Sequence, residues 1–184
     1  MRIACIEGLG YPACGDAALD VAADVLGGRV DLLVLVCPLS EPKPRLLELL
    51  VSELVERLDA PVAVVPCDCE AVDLGEAGLA VRRGGGHPLH EEPMLLDGVG
   101  VAAAVWFEGG CGAGGSEALN PLYAGLLLSW YLELREAGVG RVAVFSRRGW
   151  GLALLAAQLL AGVDPRVRVQ AGCGDLGDPT LVSL

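Results

Sequence analysis

The run Gly109-Gly110-Cys111-Gly112-Ala113-Gly114-Gly115-Ser116-Glu117-Ala118-Leu119-Asn120-Pro121 carries the densest chemical signal in the chain. Glycines let backbone N–H groups come close to a ligand. Pro121 suits the first position of a helix and Asn120 the cap before it, and Ser116 is placed to cap an earlier start. Amides and a helix dipole aimed at one spot favour an anion; the plainer alternative is a glycine-rich linker without a ligand. A second glycine loop, Gly8-Leu9-Gly10-Tyr11-Pro12, follows the first apolar run. It lacks the third glycine of a dinucleotide fingerprint and the Gly-Lys-Ser/Thr of a P-loop, so a simple tight turn competes with an anion-binding reading.

Arg147 and Arg148 directly follow the apolar run Arg141–Phe145. A guanidinium there can bridge phosphate oxygens through two parallel hydrogen bonds, the alternative being two solvated loop arginines. Residues 139–170 hold Arg141, Arg147, Arg148, Arg166 and Arg168 against a single acid, Asp164. Arg82 and His87 have the Arg-x4-His spacing of the HEPN ribonucleases, but that pair belongs on a helix, and here Gly84-Gly85-Gly86 fills the gap. His87 and His90 have the chemistry of an acid or base near neutral pH, although histidines in such a loop are more often only solvated. Cys37, Cys67, Cys69 and Cys111 fall just past apolar runs, and Cys67-Asp68-Cys69 without a second ligand pair is a poor zinc pattern. Buried thiols or a disulfide are expected there, with no metal and no cofactor.

Strands and helices must hold these loops. Arg2–Ile6, Val30–Val36 and Val62–Val65 are short apolar runs that predict strands; Asp16–Leu26 and Pro44–Leu58 repeat apolar residues at helical spacing. This alternation predicts a parallel sheet with right-handed crossovers. Cys67–Gly100 breaks the rhythm, and an irregular insert at about 67–100 is expected, a hairpin being one form it can take. Order resumes with a strand at Val101–Phe107, a long helix running to Ala137, a strand at Arg141–Phe145, a helix at Trp150–Leu160 and a last strand near Val167–Val169. The expected fold is α/β: one Rossmann-like three-layer domain over residues 1–184, with a mostly parallel sheet and helices on both faces. Ligands of such sheets bind beyond the carboxyl ends of the strands, where both glycine loops and Arg147-Arg148 fall.

A net charge of −11 opposes nonspecific binding to duplex nucleic acid, which needs a basic surface. The most apolar run, Leu119–Leu134, is interrupted by Asn120, Pro121, Ser129 and Glu133, so a buried helix is expected and no membrane span. The first residues show no long apolar stretch with a cleavage site, which predicts a cytoplasmic protein. Seven cysteines, an odd number, argue against a secreted disulfide framework.

Gly114-Gly115-Ser116-Glu117-Ala118-Leu119, between a strand and a long helix, resembles the Gly-Gly-Thr-Lys-Ala-Met motif of the CRISPR-associated Rossmann-fold (CARF) domains. Leu9-Gly10-Tyr11-Pro12 resembles the Leu-Gly-Thr-Ser-Pro that follows their first strand, and the order of strands and helices is similar along nearly the whole chain. Tyr11 stands where the family has small hydroxylic residues, and Glu117 where it has lysine. The resemblance implies recognition of a cyclic oligoadenylate across a homodimer. For a chain without an effector domain it implies a ring nuclease, which cleaves the messenger without a metal to products with 2′,3′-cyclic phosphate. The ligand-binding residues expected on this basis are Gly8, Gly10, Tyr11, Pro12, Gly114, Gly115, Ser116, Asn120 and Arg147, and the catalytic ones Tyr11, Arg147 and Arg148. Two alternatives stay open: a sensor that binds the same messenger without cleaving it, and a nucleotide-processing enzyme of the lysine-decarboxylase-like (LOG) group, whose glycine loop Gly109–Ala113 and Glu117 partly resemble.

Overall fold

The computed structural model describes residues 1–184 apart from 14, 40–42, 67–72, 107–118 and 176–177 and the side chains of 16–18, 21, 22 and 25. These residues form two compact units, residues 1–88 with 173–184, and residues 89–172. In the first unit the apolar runs become β1 (Arg2–Glu7), β2 (Leu32–Val36) and β3 (Val62–Val65), interleaved with α1 (Gly15–Leu26), α2 (Pro44–Arg57) and α3 (Leu74–Arg83). The two-residue β4 (His87–Pro88) follows, and β9 (Thr180–Ser183) returns from the end of the chain. The strand order is β4-β3-β2-β1-β9, parallel except for β9, which runs antiparallel to β1.

Because each crossover steps the same way along the sheet, right-handed connections put all three helices on one face. The core agrees: Ala4, Ile6, Leu33, Leu35, Val62 and Val64 share a cluster with Leu19 of α1, Leu50 and Leu54 of α2, and Ala77 and Val81 of α3. Ile3, Cys5, Leu32, Val34 and Ala63, which alternate with them, are fully buried as well. Burial on both faces is what makes these strands continuous apolar runs rather than alternating ones.

The second unit holds β5 (Met94–Leu96), β6 (Val99–Ala103), α4 (Asn120–Glu136), β7 (Arg141–Ser146), α5 (Leu152–Val163) and β8 (Val167–Ala171), with strand order β5-β6-β7-β8. β6, β7 and β8 are parallel, and β5 forms an antiparallel hairpin with β6. Tyr123, Leu127, Trp130 and Leu134 make the buried stripe of α4, which packs beside α5. The fold is therefore α/β and Rossmann-like, its mostly parallel strands layered with helices. No helix among the described residues is long and apolar enough to cross a membrane.

Three expectations change. Much of the irregular insert is regular: α3 forms because Asp73 Oδ1 accepts from the amides of Gly75 at 2.8 Å and Glu76 at 3.3 Å, and the hairpin follows it. Gly84-Gly85-Gly86 is the turn that seats α3 against α2, since a Cβ on Gly84 would lie 2.7 Å from the Glu48 carbonyl and one on Gly86 2.6 Å from Val51 Cγ1. Asn120 does not cap α4: Leu119 holds the cap position without a side-chain bond, and Asn120 is already helical. Finally, α5 begins at Leu152, which leaves Trp150 in the preceding loop.

Candidate functional site

In the second unit the carboxyl ends of β6, β7 and β8 gather the chemistry-bearing residues. Past Ala103 the chain stays beside β7: the Ala104 amide donates to the Phe145 carbonyl at 2.8 Å, and Ser146 Oγ donates to the Ala104 carbonyl at 2.8 Å inside the core. That pairing leads the chain to Trp106, the last described residue before 107–118. There the Arg147 guanidinium lies over the indole, 3.7 Å from its centroid. A cation on the face of tryptophan is held by the ring quadrupole, more strongly where water is excluded. Trp106 is 4% exposed, and its Nε1 is buried with no hydrogen-bond partner among the described residues.

The neighbouring loop is shaped around that ring. A Cβ on Gly149 or Gly151 would strike the Trp106 side chain, and Gly149 has φ +133, which β-carbon residues rarely adopt. Arg148 lies beside Gly172, past the end of β8, where an added Cβ would come 3.1 Å from the Arg148 Nε. The Gly172 amide donates to the Ser146 carbonyl at 2.9 Å. Trp150, in the same loop, is 75% exposed, a large aromatic face open to stacking. Arg166 is occupied elsewhere: its Nε and Nη2 donate to Asp164 at 2.8 and 3.0 Å.

The first glycine loop belongs to the first unit. Gly8 and Gly10 have φ of +67 and +72, which explains the glycines. The Gly8 amide donates to the Val36 carbonyl at 2.9 Å and the Tyr11 amide to the Pro38 carbonyl at 3.0 Å. Those two amides hold the loop against the chain that leaves β2 and do not point at an incoming anion. Tyr11 bridges Leu39, and the Tyr11–Pro12 peptide is cis. On the other side, Glu7 Oε2 accepts from the Cys173 amide at 2.9 Å, and Cys173 is joined to Cys5 by a disulfide. Cys37 is also disulfide-bonded.

The structure thus brings Arg147, Arg148 and the approach to the second loop together in one unit, with Asn120 at the start of α4 in that same unit. Gly8, Gly10, Tyr11 and Pro12 cluster in the other. Gly114, Gly115 and Ser116 lie outside the described residues, as do Cys67, Cys69 and Cys111. Sequence reasoning passed over Trp106, Gly149, Gly151 and Trp150; the signal available was a tryptophan directly before a glycine loop and another flanked by glycines after Arg147-Arg148. Fold and site together define an α/β protein whose polar and aromatic groups collect at the carboxyl ends of parallel strands. No family model and no curated protein sequence matches the chain.

Proposed function

We propose that the chain, as a cytoplasmic homodimer, binds a cyclic oligoadenylate, cyclic tetra-adenylate foremost, and cleaves it, switching off CRISPR antiviral signalling. The observation that carries the reading is Arg147 stacked on Trp106, past the carboxyl ends of β6 and β7. A guanidinium oriented by an indole and flanked by a second arginine suits a phosphodiester. Exposed Trp150 supports the same ligand, because adenine stacks on aromatic rings.

The reaction needs no external oxidant or nucleophile. A ribose 2′-oxygen attacks the adjacent phosphorus, a P–O2′ bond forms, the P–O5′ bond breaks, and the 2′ proton ends on the departing 5′-oxygen. The linear product carries a 2′,3′-cyclic phosphate. In this reading Arg147 and Arg148 offset the charge that builds on the phosphorane oxygens; Tyr11 is a catalytic candidate on the resemblance of Leu9-Gly10-Tyr11-Pro12 to the first loop of the family. The protein's share is alignment of the 2′-hydroxyl with the scissile bond.

The test is incubation of purified protein with cyclic tetra- and hexa-adenylate in the presence of a chelator, following binding and products by chromatography. Linear products with 2′,3′-cyclic phosphate ends are expected. Binding without products would make the protein a sensor of the same messenger. Release of free base from a nucleoside monophosphate, with no oligoadenylate binding, would point to the nucleotide-processing alternative.

A further inference from the structure

We infer that the outward face of α4 and α5 is a homotypic interface that seats a second copy of this chain. Pro121, Gly125, Leu128 and Leu132 repeat at intervals of four, three and four along α4. They are offset by two residues, about 200° around the helix, from its buried stripe. Leu128 is 43% exposed and Leu132 59%, so α4 carries an apolar seam on each side, one covered and one bare. A surface helix normally turns a polar face to water.

Gly125 is the second observation. Glycine within a helix costs about 1 kcal/mol relative to alanine, and a Cβ at Gly125 would meet nothing within 4 Å. No neighbouring atom among the described residues requires it. A helix from another molecule crossing at that point would, since glycine lets two backbones approach closely.

Beside it, α5 contains no ionisable side chain along its whole length, Leu-Ala-Leu-Leu-Ala-Ala-Gln-Leu-Leu-Ala-Gly-Val. Its outward residues Leu152, Leu155, Leu159 and Val163 are 49, 40, 64 and 80% exposed. With Leu128 and Leu132 they are six large apolar side chains left bare on two helices that pack side by side, and large exposed apolar patches mark interaction sites.

The occupant follows from charge and shape. A chain of net charge −11 repels its own copies over most of its surface, but this seam has no charged group to do so. A two-fold contact pairs one patch with itself, which an uncharged leucine seam with a glycine notch allows. A lipid surface fits poorly: membrane-lying helices flank the apolar face with lysine and arginine, whereas Glu133 and Glu136 border this one. The dimer invoked for the proposed function gains a defined face here, yet the inference rests on the helices alone and its readout is mass, so it fails or survives independently of ligand binding.

Sedimentation equilibrium of the full chain without nucleotide should give twice the 19.0 kDa protomer mass. Leu132→Glu and Leu159→Glu should each raise the dimer dissociation constant at least tenfold with the circular dichroism spectrum unchanged. A monomer at every concentration overturns the inference, as does a dimer indifferent to both substitutions. Should either variant fold poorly, a photoreactive benzoyl-phenylalanine placed at Leu132 should cross-link to α4 or α5 of a second copy; cross-links confined to one chain or to other segments overturn it equally.

Discussion

Asp164 shows how much a single side chain can fasten. Arg166 donates to it from two side-chain nitrogens at 2.8 and 3.0 Å and from its amide at 3.0 Å, and the Tyr131 hydroxyl adds a bond at 2.8 Å. The Arg166 side-chain bonds above all, then its amide, hold the carboxyl well below the usual carboxylate range, against the opposing effect of desolvation. Its own bond to the Asp164 carboxylate, with burial, raises the Tyr131 hydroxyl, while the nearby Arg135 and Arg166 oppose that shift. A depressed carboxylate contributes stability that is complete above its unfolded value of about 3.9 and is lost as pH falls towards the folded one. Asp164→Asn should therefore lower Tm at pH 7, and its deficit against the parent should shrink as the pH drops below about 4; a constant deficit would place the effect in packing. At the other end of β7, Arg147→Ala and Arg148→Ala should each weaken oligoadenylate binding or turnover at least tenfold, and Trp150→Ala should cost about 1–3 kcal/mol of binding if a base stacks there. Calorimetric titration with cyclic tetra-adenylate reads all three. The place of the arginines past the end of β7 was legible in the sequence because they directly follow an apolar run. Trp106 was not: it looks like one more residue of a strand, and only folding brings Gly149 and Gly151 onto its ring.

At the level of elements, β3 matches its expected bounds residue for residue, because a run of Val and Ala closed by prolines on either side leaves little choice. α3 was hidden because ten residues with two glycines and a two-arginine end carry little periodicity; its cue was the capping aspartate. β9 was hidden because a four-residue edge strand, half exposed, has no continuous apolar signal. The glycine turn after α3 gives a direct check. Gly84→Ala should cost about 1–3 kcal/mol of stability, since its Cβ would meet the α2 backbone rather than a movable side chain. A lowered urea midpoint at unchanged slope is the expected result. An unchanged midpoint would mean that α2 and α3 can part without penalty.

For the whole molecule, the sequence predicted parallel pairing but not which strands are neighbours, since continuous apolar runs do not encode partners. The structure supplies that order, with antiparallel β5 and β9 each closing one edge of a sheet. The Cys5–Cys173 bridge spans 168 residues and ties the chain leading into β9 to the middle of β1. Constraint of so long a loop in the unfolded chain is worth about 2–4 kcal/mol, so Cys173→Ala should lower the unfolding free energy by that order in oxidising buffer. Added reductant should erase the difference. The bridge also bears on how the protein is made. Cys5 is synthesised long before its partner, and Cys37 comes off the ribosome well ahead of Cys173. A growing chain must therefore keep the first-strand thiol unpaired, or exchange a premature partner, until the segment before β9 has emerged.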